Sequence, residues 1–343
     1  MKLDDRKFLI LQTIIDDYIT TAVPVGSRTI SRKSGVGFSP ATIRNEMSDL
    51  EELGYLDQPH ASAGRIPSAK AYRLYVDHLM NVSELSDVER VHINGHLNNR
   101  TSQVEQIIRH AAQAMSEITQ YAAVITQPEI HEMPIRRVQM VPITETSALL
   151  VIVMGDGLVK EAVIRIPEGV EPDHLYGISK MITERLQNAT LSEVRHNLSD
   201  MFKDLNIHSR LMADVLLTLG DQMDDGDHAP IVVGGRTNLL NYPEFNDVEK
   251  AKHFLTVLES RDKLYPLLRQ SGGLEFTVRI GPENEMPEFS ETSVVTTSYR
   301  MGKSMKGTFG IIGPTRMDYA RVVSVMNYMG KLISDILSGD PPI

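Results

Sequence analysis

Between Ser39 and Gly54 the chain holds two sets of residues that separate by helical spacing. Ile43, Met47, Leu50 and Leu53 fall on one side and must pack inward, while Ala41, Asn45 and Ser48 fall on the other, with Thr42 and Arg44 on the flanks. The outward set is short or hydrogen-bonding, as a surface entering the major groove of DNA requires. An amide such as Asn45 can pair bidentately with adenine, and a guanidinium such as Arg44 with guanine. Asp49, Glu51 and Glu52 crowd the far half of the same stretch and repel phosphate. Contact is therefore expected at its first two turns, where the helix dipole also favours anions. Ser27, Arg28, Arg32 and Ser39 upstream, with His60 and Arg65 downstream, complete the candidate DNA-contacting set.

Other clusters fit ligands or catalysis less well. Asp224-Asp225-Gly226-Asp227-His228 lacks the spacing and terminal glutamate of a calcium loop and reads as a solvated acidic loop. His92 and His96 stand four apart, but no glutamate follows His92 and Gly95 weakens the helix, so both read as exposed linker residues. Gly310-Ile311-Ile312-Gly313-Pro314-Thr315 has no Gly-Lys-Ser/Thr and is expected to be a turn, like Gly234-Gly235. Cysteine is absent, which excludes disulfides and thiolate chemistry and suits a reducing cytoplasm. No motif places a carboxylate pair or a Ser/His/Asp set, so an enzyme, a cofactor and a metal are not expected.

The elements that must position the outward set follow from local signals. Phe8, Leu11, Ile14, Ile15, Tyr18 and Ile19 give a first helix its apolar face, and Pro24 stops it. Ser27 is expected to cap a short second helix from Arg28 to Ser34. After the glycine turn at Gly35 and Gly37, Ser39-Pro40 opens the third helix and Gly54 closes it. This is the helix-turn-helix order. Tyr55 to Gln58 and Arg65 to Pro67 read as paired strands around a small-residue loop, a wing, and Ser68 caps a fourth helix carrying Tyr72, Tyr75, Val76 and Leu79.

Charge is distributed in keeping with that reading. Of 35 Lys/Arg and 45 Asp/Glu in 343 residues, residues 1–80 hold ten of each, so the net charge of −10 lies wholly in the rest. The N-terminus carries acids and is not expected to be a signal peptide, and no apolar run is long enough to span a membrane.

Arg28-Thr29-Ile30-Ser31, Ser39-Pro40-Ala41-Thr42-Ile43-Arg44-Asn45-Glu46-Met47, Leu50-Glu51-Glu52-Leu53-Gly54-Tyr55-Leu56 and Pro59-His60-Ala61-Ser62-Ala63-Gly64-Arg65-Ile66-Pro67 resemble the winged-helix signature of the HrcA heat-inducible repressors. Ile280-Gly281-Pro282-Glu283-Asn284 and Gly310 to Tyr319 resemble two further motifs of that family. Ala61 stands where many relatives carry threonine. The resemblance implies a dimeric bacterial repressor that binds an inverted-repeat operator in double-stranded DNA upstream of chaperone operons, releases it on heat stress, and is assisted by the chaperonin.

The remaining chain is expected to be α+β. A stripe from Val104 to Ile118 is helical, and strands are expected at Ile135–Ile143, Ala148–Met154 and Leu158–Ile166, the last two joined by Gly155-Asp156-Gly157. Helices follow at Pro172–Gln187, Phe202–Leu219 and Asn246–Ser260, then strands at Leu274–Ile280, Ser293–Tyr299 and Thr308–Ile312. Thr315 with Asp318 resembles a capping box for a last helix from Met317 to Leu337. The expected organisation is a winged helix-turn-helix domain at 1–80, a linker at 81–100, and an α+β domain at 101–169 and 261–343. A mainly helical insertion at 170–260 interrupts that domain. The resemblance implies that the interrupted domain is GAF-like and that the insertion dimerises. Two rival readings are a ligand-responsive regulator, through the GAF-like domain, and an enzyme with a DNA-reading appendage.

Overall fold

A computed structural model of the chain describes residues 4–33, 35–60, 63–82, 84–97, 104–127, 134–155, 158–190, 193–194, 230–269, 276–301 and 305–338. In the N-terminal unit, α1 (Asp5–Thr21) starts at Asp4, whose carboxylate accepts the Lys7 N–H at 2.8 Å, and buries Ile10, Leu11, Ile14 and Ile15. Helix α2 (Ser27–Ser31) is shorter than expected, and Ser27 does not cap it. Gly26 occupies the cap position, and Ser27 is the first helical residue, only 8% exposed. Helix α3 (Pro40–Glu52) is capped as expected, Ser39 Oγ accepting the Thr42 N–H at 3.2 Å, and Gly54 (φ +76°) provides the left-handed turn that ends it. Strands β1 (Leu56–Asp57) and β2 (Ile66–Pro67) pair antiparallel. Ser68 caps α4 (Ala69–Leu74), which continues into a π turn at Tyr75–Leu79.

The segment expected to be a linker contains an ordered helix, α5 (Asp87–Leu97), packed on α6 (Val104–Thr119). Ile93 and Leu97 are its buried anchors, too few to stand out from the sequence. Five antiparallel strands form the central sheet in the order β7-β3-β10-β9-β8. They are β3 (Ala122–Thr126), β7 (Ile231–Gly234), β8 (Thr277–Ile280), β9 (Thr292–Met301) and β10 (Met305–Pro314). Two helices, α8 (Val248–Glu259) and α9 (Arg261–Arg269), lie on one face, where Ala122, Val124, Val294 and Ile312 point. On the other face Ala123, Ile125, Val295 and Ile311 meet α6 and α10 (Tyr319–Ser338). Covered on both sides, β3 is buried at every residue and shows no polar alternation. Asp318 alone caps α10, accepting the Arg321 N–H at 3.0 Å, so the expected box with Thr315 is not formed. The core on this face runs without a break into the core of the N-terminal unit.

A second sheet, β4 (Ile135–Thr144), β5 (Ser147–Met154) and β6 (Leu158–Arg165), pairs only within itself among the described residues. With α7 (Pro172–Leu186) it encloses a separate core of Ile135, Val138, Met140, Leu150, Ile152, Ile164, Leu175 and Ile182. Ser179 Oγ and Thr183 Oγ1 of α7 accept the Met140 and Val138 N–H groups at 2.9 and 3.0 Å, which covers the edge of β4. These packings move the expected boundaries. Residues 135–165 belong with α7, and β7 and α8, expected in the insertion, belong to the central sheet. Strands adjacent in sequence read as one sheet, and only their register shows otherwise. The expected helix at 202–219, the acidic loop at 224–228 and most of the turn at 155–157 lie outside the described residues.

Candidate nucleic-acid interface

Helix α3 presents the expected outward set. Ala41, Arg44, Asn45 and Ser48 are exposed and Thr42 is half-buried, while Ile43, Met47 and Leu50 are buried against α1 and α2. The exposed cap residue Ser39 uses its hydroxyl on Thr42, meeting the N–H at 3.2 Å and Oγ1 at 3.0 Å. Glu46, unexpectedly, is on the inner side, where Lys7 Nζ reaches it at 2.6 Å and Arg6 at 3.1 Å. Hydrogen bonds from Lys7 to Glu46 and then Asp49 hold its ammonium well above the usual lysine range. Asp49 (3.0 Å from Lys7) and Glu51 (2.7 Å from Arg65) are thus paired, so the acids expected to repel phosphate are largely neutralised within the unit.

A groove of about 430 Å³ opens between the start of α2, the outer side of α3 and the β1–β2 loop. Its rim carries Arg28, Arg44 and Arg65, with Ser27 and Met47 at its wall. Arg28 and Arg44 make no ion pair with a described residue, and Arg28 is exposed. Arg65 differs from expectation, because its Nε and Nη2 both engage Glu51 Oε2, at 2.8 and 2.7 Å. Its backbone also exchanges two 2.9 Å hydrogen bonds with Val25. A side chain at the adjoining Gly64 would meet the Val25 carbonyl at 2.4 Å, so only glycine lets the loop approach the α1–α2 connection. Arg65 is therefore a positioning residue of this groove. Ser27 is nearly buried at the groove wall, Arg32 is exposed at the end of α2 but off the groove, and His60 is exposed in the β1–β2 loop. Ala61 and Ser62 lie outside the described residues.

The opposite side of the N-terminal unit meets the body through residues of the two C-terminal motifs. Arg316, 8% exposed, donates from Nη1 to the Ile19 carbonyl at 2.9 Å and from Nε to Glu244 at 2.6 Å, with its guanidinium over the Tyr242 ring. Arg73 of α4 forks onto Glu283, with Nε at 2.9 Å, and donates to the Val278 carbonyl at 2.6 Å. Burial pushes the Glu283 carboxyl up, but Arg73 and the Ile280 N–H outweigh it and leave it below the usual carboxylate range. Asn284 donates to the carbonyls of Gly281, Phe289 and Thr292 and fixes that loop. Tyr72 and Tyr319 pack ring to ring at 5.9 Å, and burial raises the Tyr72 hydroxyl, which has no hydrogen-bond partner among the described residues. Sequence reading gave these motifs no role, since partners such as Arg73 and Glu283 are 210 residues apart.

Comparison with known proteins matches residues 105–323 to the family described as HrcA protein C terminal domain. A heat-inducible transcription repressor HrcA of Ruminiclostridium cellulolyticum is 45% identical over 342 residues, 98% of each chain. Its counterpart in Halalkalibacterium halodurans is 43% identical over 337 residues, again 98% of each. A crystal structure of a protein described only as hypothetical shares the fold, with TM-score 0.69 and 24% identity over 98% of this chain and 99% of that one.

Proposed function

The chain belongs to the HrcA family of heat-inducible transcription repressors, and from that premise we propose that α1–α4 with the β1–β2 hairpin act as a winged helix-turn-helix that lays α3 in the major groove of operator DNA. One observation carries the reading. The exposed face of Ala41, Arg44, Asn45 and Ser48 adjoins a groove whose rim holds two arginines without acidic partners among the described residues. Asn45 and Arg44 read base edges, while Arg28, Arg32 and Ser39 meet phosphate. His60 reaches backbone or minor groove. Arg65 fixes the wing against α3 through Glu51 and contacts phosphate only by leaving that carboxylate. The mechanism is occupancy of the operator, with no bond made or broken. The central sheet with its helices is the GAF-like domain, and the β4–β6 unit belongs to the insertion.

Two readers on an inverted repeat require a two-fold dimer. The outer face of the β4–β6 sheet supports a dimer through a second copy of this chain. Val141, Leu149 and Val163 form one cross-strand row there, and Val151, Val153 and Val159 lie beside it. Val163 is 67% exposed and Val141, Ile143 and Val159 are exposed with it, a patch that monomers seldom leave open. A repressor whose β3 must close onto β10 some 180 residues later also exposes apolar edges while folding, which supports the chaperonin as a partner. The test is a footprint on inverted-repeat DNA upstream of a chaperone operon, run beside sedimentation of the wild type and Val151→Lys. A monomeric variant that footprints like the wild type would remove the dimer, and no footprint at any temperature would remove the reader.

A further inference from the structure

Away from the groove, two imidazoles and a carboxylate converge where α5 crosses α6. His92 and His96 stand one turn apart on α5, and each Nε2 lies against the same atom, Glu117 Oε2 on α6, at 2.9 and 3.0 Å. The three ligand atoms lie within 4.8 Å of one another. Neither histidine is therefore the bare linker residue that sequence reading expected. Imidazole and carboxylate are the donor set of zinc and its neighbours, with metal–ligand distances of about 2.0–2.2 Å. Tetrahedral ligands at that range stand about 3.3 Å apart, so both nitrogen–oxygen distances need widen by only a few tenths of an ångström. The carboxylate is already oriented, because Gln113 Nε2 donates to Glu117 Oε1 at 2.9 Å and leaves Oε2 to the histidines. Such an outer partner is what fixes a ligating group in metal sites. That bond from Gln113, with help from the histidines, keeps the Glu117 carboxyl below its ordinary range despite partial burial.

The placement also gives an ion something to do. The chain passes from the N-terminal unit to the body through α5, which carries Gly95 between its two histidines. A mid-helix glycine costs about 1 kcal/mol relative to alanine, and nothing lies within 4 Å of where its Cβ would stand, so packing does not demand it. A bridge from position 92 to 96 and on to α6 closes the turn that Gly95 weakens. We propose that His92, His96 and Glu117 bind a divalent transition-metal ion, zinc foremost, with water as fourth ligand, and that the ion pins the connecting helix to α6.

The experiment uses full-length protein stripped by a chelator and titrated with Co2+ as a spectroscopic stand-in for zinc. The expected result is one Co2+ per chain with the visible bands of a tetrahedral ion, displaced by Zn2+, and a raised Tm. His92→Ala, His96→Ala and Glu117→Gln each abolish bands and Tm response, whereas His110→Ala on α6 keeps both. His92 is exposed, so its variant keeps the wild-type fold by circular dichroism. Gln113→Ala retains all three ligands and weakens Co2+ binding about 10–100-fold. Absence of bands in the wild type overturns the site. So do bands that persist in the variant lacking all three ligands, or an unchanged affinity in Gln113→Ala.

Discussion

On the outward side of the N-terminal unit, Arg28 and Arg44 carry no described acid within ion-pair distance. On the side facing the body, Arg73 and Arg316 are forked onto Glu283 and Glu244 and also bond backbone carbonyls. The residue type is the same and the partners differ. A guanidinium left without an acid is available to phosphate or guanine, whereas one enclosed by acid, carbonyl and aromatic ring is spent on structure. Substitution on the two sides should therefore separate cleanly into lost binding and lost stability.

The largest effect is expected at Arg316. Arg316→Ala leaves Glu244 and the Ile19 carbonyl without their donor in a nearly closed space, at a cost of about 3 kcal/mol, the low end for a broken buried pair because Glu244 keeps some solvent. Tm should fall, and hydrogen exchange should show α1 opening along with α10. An unchanged Tm would erase the distinction between the two sides.

Next come Asn45→Ala and Arg44→Ala, each expected to cost about 1–3 kcal/mol of operator binding and to relax base preference, with Tm unchanged. Binding assays on operator and scrambled DNA decide this. If stability drops as it does for Arg316→Ala, the outer face is structural too. Arg28→Ala sharpens the contrast within the outer side. It should weaken binding to all sequences alike and reduce the salt slope by about 1.

Arg65 stands between the two classes, already neutralised by Glu51 yet on the groove rim. Arg65→Ala should cost about 0.5–1 kcal/mol of stability, as a partly exposed surface pair does, and change the salt slope less than Arg28→Ala. A slope change as large as that of Arg28→Ala would show that Arg65 leaves Glu51 for phosphate. The smallest effect is on pH. Glu283 has a folded pKa below its unfolded value, so its contribution is present above the unfolded pKa of about 4.3 and is lost as pH falls through the lower folded one. Glu283→Gln should lack that acid-side decline in Tm. A decline identical to the wild type's would assign it to other carboxylates.

Legibility followed the range of the forces involved. Ser39, Pro40 and Gly54 bound α3 through contacts within four residues, and β5 and β6 are largely apolar runs joined by Gly155-Asp156-Gly157, so each could be read directly. Strand β3 (Ala-Ala-Val-Ile-Thr) could not, since a strand buried on both faces has no alternation to read, and β7, a half-buried edge strand of four residues, is too short to show one. Ser27 misled because a serine before a helix looks like a cap even when Gly26 holds the cap geometry. On the candidate interface, which side chains face out was legible. Glu51 holding Arg65, and Glu46 turned toward Lys7, depended on pairings 14 and 39 residues away.

The uninterrupted core between the N-terminal unit and the central sheet has a geometric corollary. A reader seated this way cannot swivel on a tether, so in the dimer proposed above two of them would act as calipers with a fixed gap. Helical phase, more than distance alone, then sets which DNA is gripped. Lengthening the spacer between half-sites by a full turn, about 10 base pairs, restores the facing that half a turn, about 5, destroys. The fixed gap makes even the restored facing a poorer fit than the original spacing.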